Sequence, residues 1–141
     1  MSRTLTTKQQ HLAAVPLFAH CNPKQLARID QLADEVDVPS GHQLITRGKL
    51  GHEFFIIQSG AASVRRDDRE IATLRAGDST GELALLGASP LRSADVVTTE
   101  PSRVIVLGAR EFREMLLEDP LIAIGLLATV AEWLKARLDA E

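Results

Sequence analysis

Apolar and polar positions follow three different rhythms along the chain. From Leu5 to Ala14 the spacing is that of a helix, closed by Pro16, which disfavours helical geometry at Val15. Asn22-Pro23-Lys24-Gln25 then forms a start signal. Asn22 is a capping residue, Pro23 suits the first helical position, and Gln25 stands where a reciprocal cap requires it. Leu26, Ile29 and Leu32 recur at helical spacing behind it, with Ala33 filling the same face.

At Glu35 the period shortens to two. Val36 and Val38 alternate with Asp37, and Pro39-Ser40-Gly41 marks a turn. Further short strands are predicted at Leu44 to Thr46, Phe54 to Ile57, Ala61 to Val64 and Ile71 to Leu74. Two more follow at Ala94 to Thr98 and Arg103 to Leu107. Gly48, Gly51, Gly60, Asp67-Asp68 and Gly77-Asp78 punctuate them. Strands this short and closely spaced, with no long helical crossovers, predict an antiparallel sandwich or roll rather than a parallel sheet.

Helical spacing returns at the end, from Ala109 to Leu117 and again from Asp119-Pro120 to about Leu138. Ile124, Leu127, Val130, Leu134 and Leu138 line one side of this last helix, with Leu126, Trp133 and Arg137 on an adjoining face. Leu126, Val130 and Trp133 have two readings, as core packing or as a surface for a partner helix.

Composition narrows the class. The 141 residues are 45% hydrophobic and 25% charged, which fits one globular domain over 1–141 and excludes a disordered or collagen-like chain. A net charge of −3 argues against a general polyanion binder, and DNA binding is not expected. Cys21 is the only cysteine, so no intrachain disulfide forms and a cytoplasmic location is expected. His11, His20, His42 and His52 lack the spacing of a metal cluster, so no metal is expected. The apolar run from Leu121 to Ala131 is well short of the ~20 residues a spanning helix needs.

One stretch interrupts the strands. Gly77-Asp78-Ser79-Thr80-Gly81-Glu82-Leu83-Ala84-Leu85-Leu86-Gly87 leads through a Gly/Pro loop to Arg92-Ser93-Ala94-Asp95-Val96. Gly81 admits a close backbone approach, the turn near Glu82 offers free N–H groups, and Arg92 is a bidentate partner for a phosphate. Glu82 beside a phosphate makes sense as the acceptor for a hydroxyl, as on a ribose. Anion seat, arginine and hydroxyl acceptor together describe a nucleotide sugar-phosphate. The plainer alternative is a structural ion pair between Arg92 and Glu82.

This stretch closely resembles the phosphate-binding cassette of cyclic nucleotide-binding domains. Gly41, Gly48, Gly51, Phe54-Phe55-Ile56-Ile57, Gly60, Gly77-Asp78, Phe112 and Pro120 follow the same family's spacing, so the resemblance covers about residues 12 to 138. It implies a mainly β (α+β) fold: an eight-stranded antiparallel roll over about 35–108. N-terminal helices over about 5–33 and a C-terminal helical lid over about 109–138 flank it. It implies that Glu82 binds the ribose 2′-OH and Arg92 the cyclic phosphate. Gly81, Leu83 and Ala84 line the sugar-phosphate through their backbone, and Ser93 adds a contact. Trp133 is a candidate lid over the base. The implied ligand is cAMP, with cGMP as the alternative, and no further cofactor.

Three departures accompany the resemblance. Thr80 stands where most members have phenylalanine. Asp95 adds a negative charge near the seat, which weakens phosphate binding if it faces inward. The resemblance also ends with the last helix, so the expectation is a stand-alone regulatory domain, not an enzyme, with a protein partner. The alternative is a nucleotide-independent interaction module on the same fold.

Overall fold

Reciprocal caps start both N-terminal helices. Helix α1 (Thr7–Ala13) begins behind Thr6, whose hydroxyl accepts from the Gln9 N–H at 3.1 Å while the Gln9 amide oxygen accepts from the Thr6 N–H. Helix α2 (Pro23–Asp30) repeats the arrangement with Asn22 and Gln25 at 2.9 Å in both directions, as the start signal predicts. Between them a 3-10 turn, Pro16–Phe18, buries Leu17 and Phe18. These elements belong to a computed structural model that describes residues 4–87 and 92–140, with only the backbone of Leu83.

Eight strands follow: β1 (Asp34–Val38), β2 (Gln43–Ile45), β3 (Glu53–Ser59), β4 (Ala61–Arg66), β5 (Arg69–Arg75), β6 (Ser79–Thr80), β7 (Asp95–Thr98) and β8 (Ser102–Gly108). They form two four-stranded sheets in the orders β1-β8-β3-β6 and β2-β7-β4-β5, and every pairing is antiparallel. The chain therefore adopts the mainly β roll with flanking helices that the sequence predicts. The periodicity marks only seven strands. The eighth, β6, is two polar residues held against β3 by the Phe55–Thr80 and Ile56–Ser79 pairs. Asp67 and Asp68 turn β4 into β5 with φ of 53° and 61°, the left-handed pair that a two-residue hairpin requires.

Strand alternation on β3 and β8 separates two cores. Phe54, Ile56, Ile105 and Leu107 face the helices, where they pack with Leu12, Phe18, Ile29, Phe112 and Ile122. Phe55, Ile57, Val104 and the partly buried Val106 face the interior of the roll, with Ile45, Ala62 and Val96. The first core places helix α3 (Ala109–Glu118) and helix α4 (Pro120–Asp139) on one side of the sheet.

Helix α4 is where pattern and structure part. Ile122, Leu126 and Thr129 are its buried residues, and Val130 and Trp133 pack against the first core. Of the two readings of Leu126, Val130 and Trp133, the structure has core packing. The side marked by Ile124, Leu127, Leu134 and Leu138 is the exposed one, together with Leu121 and with Leu117 of α3. The helix is apolar nearly all round, so its spacing does not say which side turns inward.

Candidate functional site

Strand β6 delivers the chain to Gly81, whose φ of 84° turns it sharply into the 3-10 helix Glu82–Leu86. The Ala84 N–H donates to the Gly81 carbonyl and the Gly87 N–H to that of Ala84, both at 3.0 Å. Leu85 is fully buried in the first core and anchors this helix to the fold. Ala88, Ser89, Pro90 and Leu91 of the predicted cassette lie outside the described residues.

Arg92 is fixed first by its backbone. Its N–H donates to the Lys49 carbonyl at 2.9 Å, and its own carbonyl accepts from the Gly48 N–H at 2.8 Å. The side chain then lies across Gly51 and Gly81, and its guanidinium donates to the Glu53 carbonyl oxygen. Burial works against its charge, while the nearby Glu53 carboxylate favours it. An arginine guanidinium nonetheless keeps its proton in proteins. Arg92, Lys49, Leu50, Gly51, His52 and Phe55 line a hollow of about 180 Å³.

Glu82 stands elsewhere. It is half-buried, and its carboxylate accepts a 3.4 Å hydrogen bond from the Leu17 N–H in the 3-10 turn between α1 and α2. Burial raises its pKa above the usual carboxylate range, and the Leu17 N–H pulls in the opposite direction. Among the described residues, Arg92 and Glu82 form no ion pair. The plain alternative weighed from the sequence is thus not what the chain adopts.

The remaining predicted residues are spread around this pair. Gly81 lies beside the guanidinium, and Leu83 and Ala84 are in the cassette helix. Ser93 is exposed, and its carbonyl accepts from Arg66 Nε at 3.0 Å. Trp133 is half-buried against the first core and is not among the residues lining the hollow. Asp95 turns its carboxylate to the Gln43 amide at 3.0 Å and the Arg47 N–H at 2.8 Å, so it clamps the end of β2. Thr80 pairs with Phe55 and is half-buried.

Sequence reasoning missed Lys49, which brings a second cation to the hollow, and the part played by Gly51 and the Glu53 carbonyl. The only signal was a lysine between closely spaced glycines. A larger hollow of about 710 Å³ lies beyond His52 and Glu53, but it sets Asp34, Glu53 and Glu111 against Arg110 and Arg113. Glu53 lines both hollows, but the larger one adds Asp34 and Glu111 and so has more carboxylates than guanidinium groups, which makes it the poorer anion seat. Among the described residues no His, Cys, Asp and Glu side chains group as a metal site would, and no helix is long and apolar enough to cross a membrane.

Burial pushes the Cys21 thiol up to about 11, so it is protonated at neutral pH. Only the thiolate attacks. Cys21 is expected to alkylate roughly a hundredfold more slowly than an ordinary thiol at pH 7.5. Mass spectrometry of iodoacetamide-treated native protein measures this, and labelling at the rate of a free cysteine would refute it.

The family described as cyclic nucleotide-binding domain matches residues 35–119. The cAMP-dependent protein kinase regulatory subunit of Neurospora crassa is 32% identical over 110 residues, covering 77% of this chain and 28% of that one. Its counterpart in Aspergillus fumigatus is 36% identical over 107 residues, covering 74% and 26%. The chain thus spans about a quarter of the length of the curated relatives it matches. Among solved structures, the N-terminal domain of a transcriptional regulator from Streptomyces coelicolor A3(2) superposes with a TM-score of 0.80 at 27% identity, covering 89% of this chain and 90% of that one. The regulatory domain of Toxoplasma gondii PKA, crystallised with cAMP, gives a TM-score of 0.70 at 27% identity, covering 77% and 42%.

Proposed function

The chain belongs to the cyclic nucleotide-binding domain family, and from that premise we propose that it is a regulatory sensor of cAMP. The observation that carries the reading is the position of Arg92. Its guanidinium sits at the edge of a hollow, held by two glycines and a carbonyl, with no carboxylate of the described residues in ion-pair contact. A cyclic phosphate supplies the anion. Gly81, Leu83 and Ala84 contribute backbone, Ser93 a further contact, and Glu82 takes the ribose hydroxyl.

For Glu82 to reach a ribose it gives up the Leu17 N–H. That exchange couples ligand to helix. The turn at Pro16–Phe18 packs against α4, where Gly125 lies against His20 and His20 Nε2 pairs with Glu132 at 2.8 Å. Binding that draws Glu82 away alters the seat of α4. Nucleotide moves α4 only as far as its affinity differs between the two arrangements.

The exposed leucines of α4 favour a second reading, a protein-interaction module on this fold. Leu121, Ile124, Leu127, Leu134 and Leu138 form an apolar stripe of the kind that marks a partner surface. The two readings combine if the partner reads α4. Calorimetric titration of the folded chain with cAMP and with cGMP separates them. Saturable binding with cAMP tighter supports the sensor. No heat from either at millimolar concentration leaves the interaction module.

Glu82→Gln has a pH signature. Burial holds Glu82 more protonated in the folded than in the unfolded chain. Such a group favours folding below its unfolded pKa, and the benefit is lost as pH rises through the folded value. The neutral glutamine avoids that loss. Ligand-free Glu82→Gln is therefore expected to melt higher than wild type at pH 7, with the gap closing towards pH 4, while cAMP affinity falls about tenfold. Melts across this range check it. A variant that melts lower at pH 7 would show that the Leu17 bond outweighs the buried charge.

A further inference from the structure

We infer that Gly51 is a positioning residue for the phosphate-binding arginine, kept free of a side chain so that Arg92 can lie across it. This rests on the reading above for its ligand and on the geometry of the ligand-free chain for the rest. A Cβ on Gly51 would stand 1.6 Å from Arg92 Nε, 2.2 Å from Cζ and 2.5 Å from Cδ. Nε and Cζ belong to the guanidinium and Cδ is the methylene that carries it, so the end of the side chain has to leave Gly51 as a whole.

The backbone at Gly51 does not itself call for a glycine. Gly41, Gly48 and Gly77 have positive φ and open space where a Cβ would go, so their backbones account for them. Gly81 has both a positive φ and a contact with Arg92. Gly51 has no positive φ, and the three atoms nearest its absent Cβ all belong to Arg92. The two residues are 41 positions apart, joined through the Lys49 and Gly48 backbone bonds that hold the start of β7 beside this loop.

A methyl group at this position forces Arg92 off Gly51, away from Gly81 and from the Glu53 carbonyl. The cation stays on the chain but no longer stands at the seat. Gly51 thus acts through Arg92 alone, and its effect has to vanish when Arg92 has no guanidinium.

Four proteins test this: wild type, Gly51→Ala, Arg92→Ala and the double variant. In calorimetric titrations with cAMP, Gly51→Ala is expected to weaken binding about tenfold, and the double variant to bind no more weakly than Arg92→Ala. In melts without nucleotide, Gly51→Ala is expected to lower Tm by about 2–4 °C in the wild-type background and to leave it unchanged in the Arg92→Ala background. Equal losses in both backgrounds would overturn the inference, since Gly51 would then act through its own backbone. So would a Gly51→Ala variant that melts and binds as wild type. The melts need no ligand, so a wild type that ignores cAMP overturns the functional reading while the melts still decide the role of Gly51.

Discussion

Arg92→Ala is expected to weaken cAMP binding by roughly ten- to a hundredfold, the largest effect of any single substitution on the ligand. A charge-assisted hydrogen bond contributes about 1.5–3 kcal/mol, and the guanidinium is the cation placed beside both Gly51 and Gly81. Removing it leaves Lys49 in the hollow, an ammonium that cannot offer the same planar fork. Arg92→Lys is expected to fall between the two, because an ammonium keeps the charge and loses the planar fork. Titration of the three proteins measures the series. Unchanged affinity in Arg92→Ala would mean that the phosphate sits elsewhere.

The second large effect concerns stability. Phe112→Ala is expected to destabilise the fold by about 3–5 kcal/mol, a large share of the ~5–15 kcal/mol that domains of this kind possess. Phe112 is fully buried, and its ring lies 5.8 Å from that of Phe18, which in turn meets Phe54 edge-on at 6.4 Å. The three rings join α3, the turn before α2 and strand β3, so no single element can close over the cavity. Tm is expected to fall by on the order of 10 °C. Saturating cAMP restores part of it by mass action, about 2.7 kcal/mol at a hundredfold excess over Kd. A drop under about 2 °C would show that the helical side repacks freely around the missing ring.

What could be read ahead from residues alone follows from how local each determinant is. Asn22-Pro23-Lys24-Gln25 is a start signal complete within four residues, and it caps α2 as expected. Asp67-Asp68 marks its hairpin for the same reason. Strand β6 has no apolar residue and no length, and only the β3 edge beside it makes it a strand. The inward side of α4 was illegible because both sides are apolar, and the choice belongs to what lies beneath.

The cassette shows the same division. Its residue types and spacing point to a sugar-phosphate, and family resemblance reaches the same stretch. Yet Glu82 meets Leu17 across 65 positions and Arg92 meets Gly51 across 41. Contacts of that range depend on how the sheets bring β3, β6 and β7 together, and periodicity does not carry that information. Asp95 is the clearest instance. As a charge next to the seat it looked like an obstacle, and in place it holds Gln43 and Arg47.

Strands β3 and β8 send alternate side chains into two separate interiors. A partition that is packed on both faces belongs to two interiors at once, and dense packing passes strain from one to the other. Phe54, Ile56, Ile105 and Leu107 meet the helices while Phe55, Ile57 and Val104 close the roll, on the same two backbones. A change of packing on the helical face therefore has a route only one peptide unit long to the face that lines the roll.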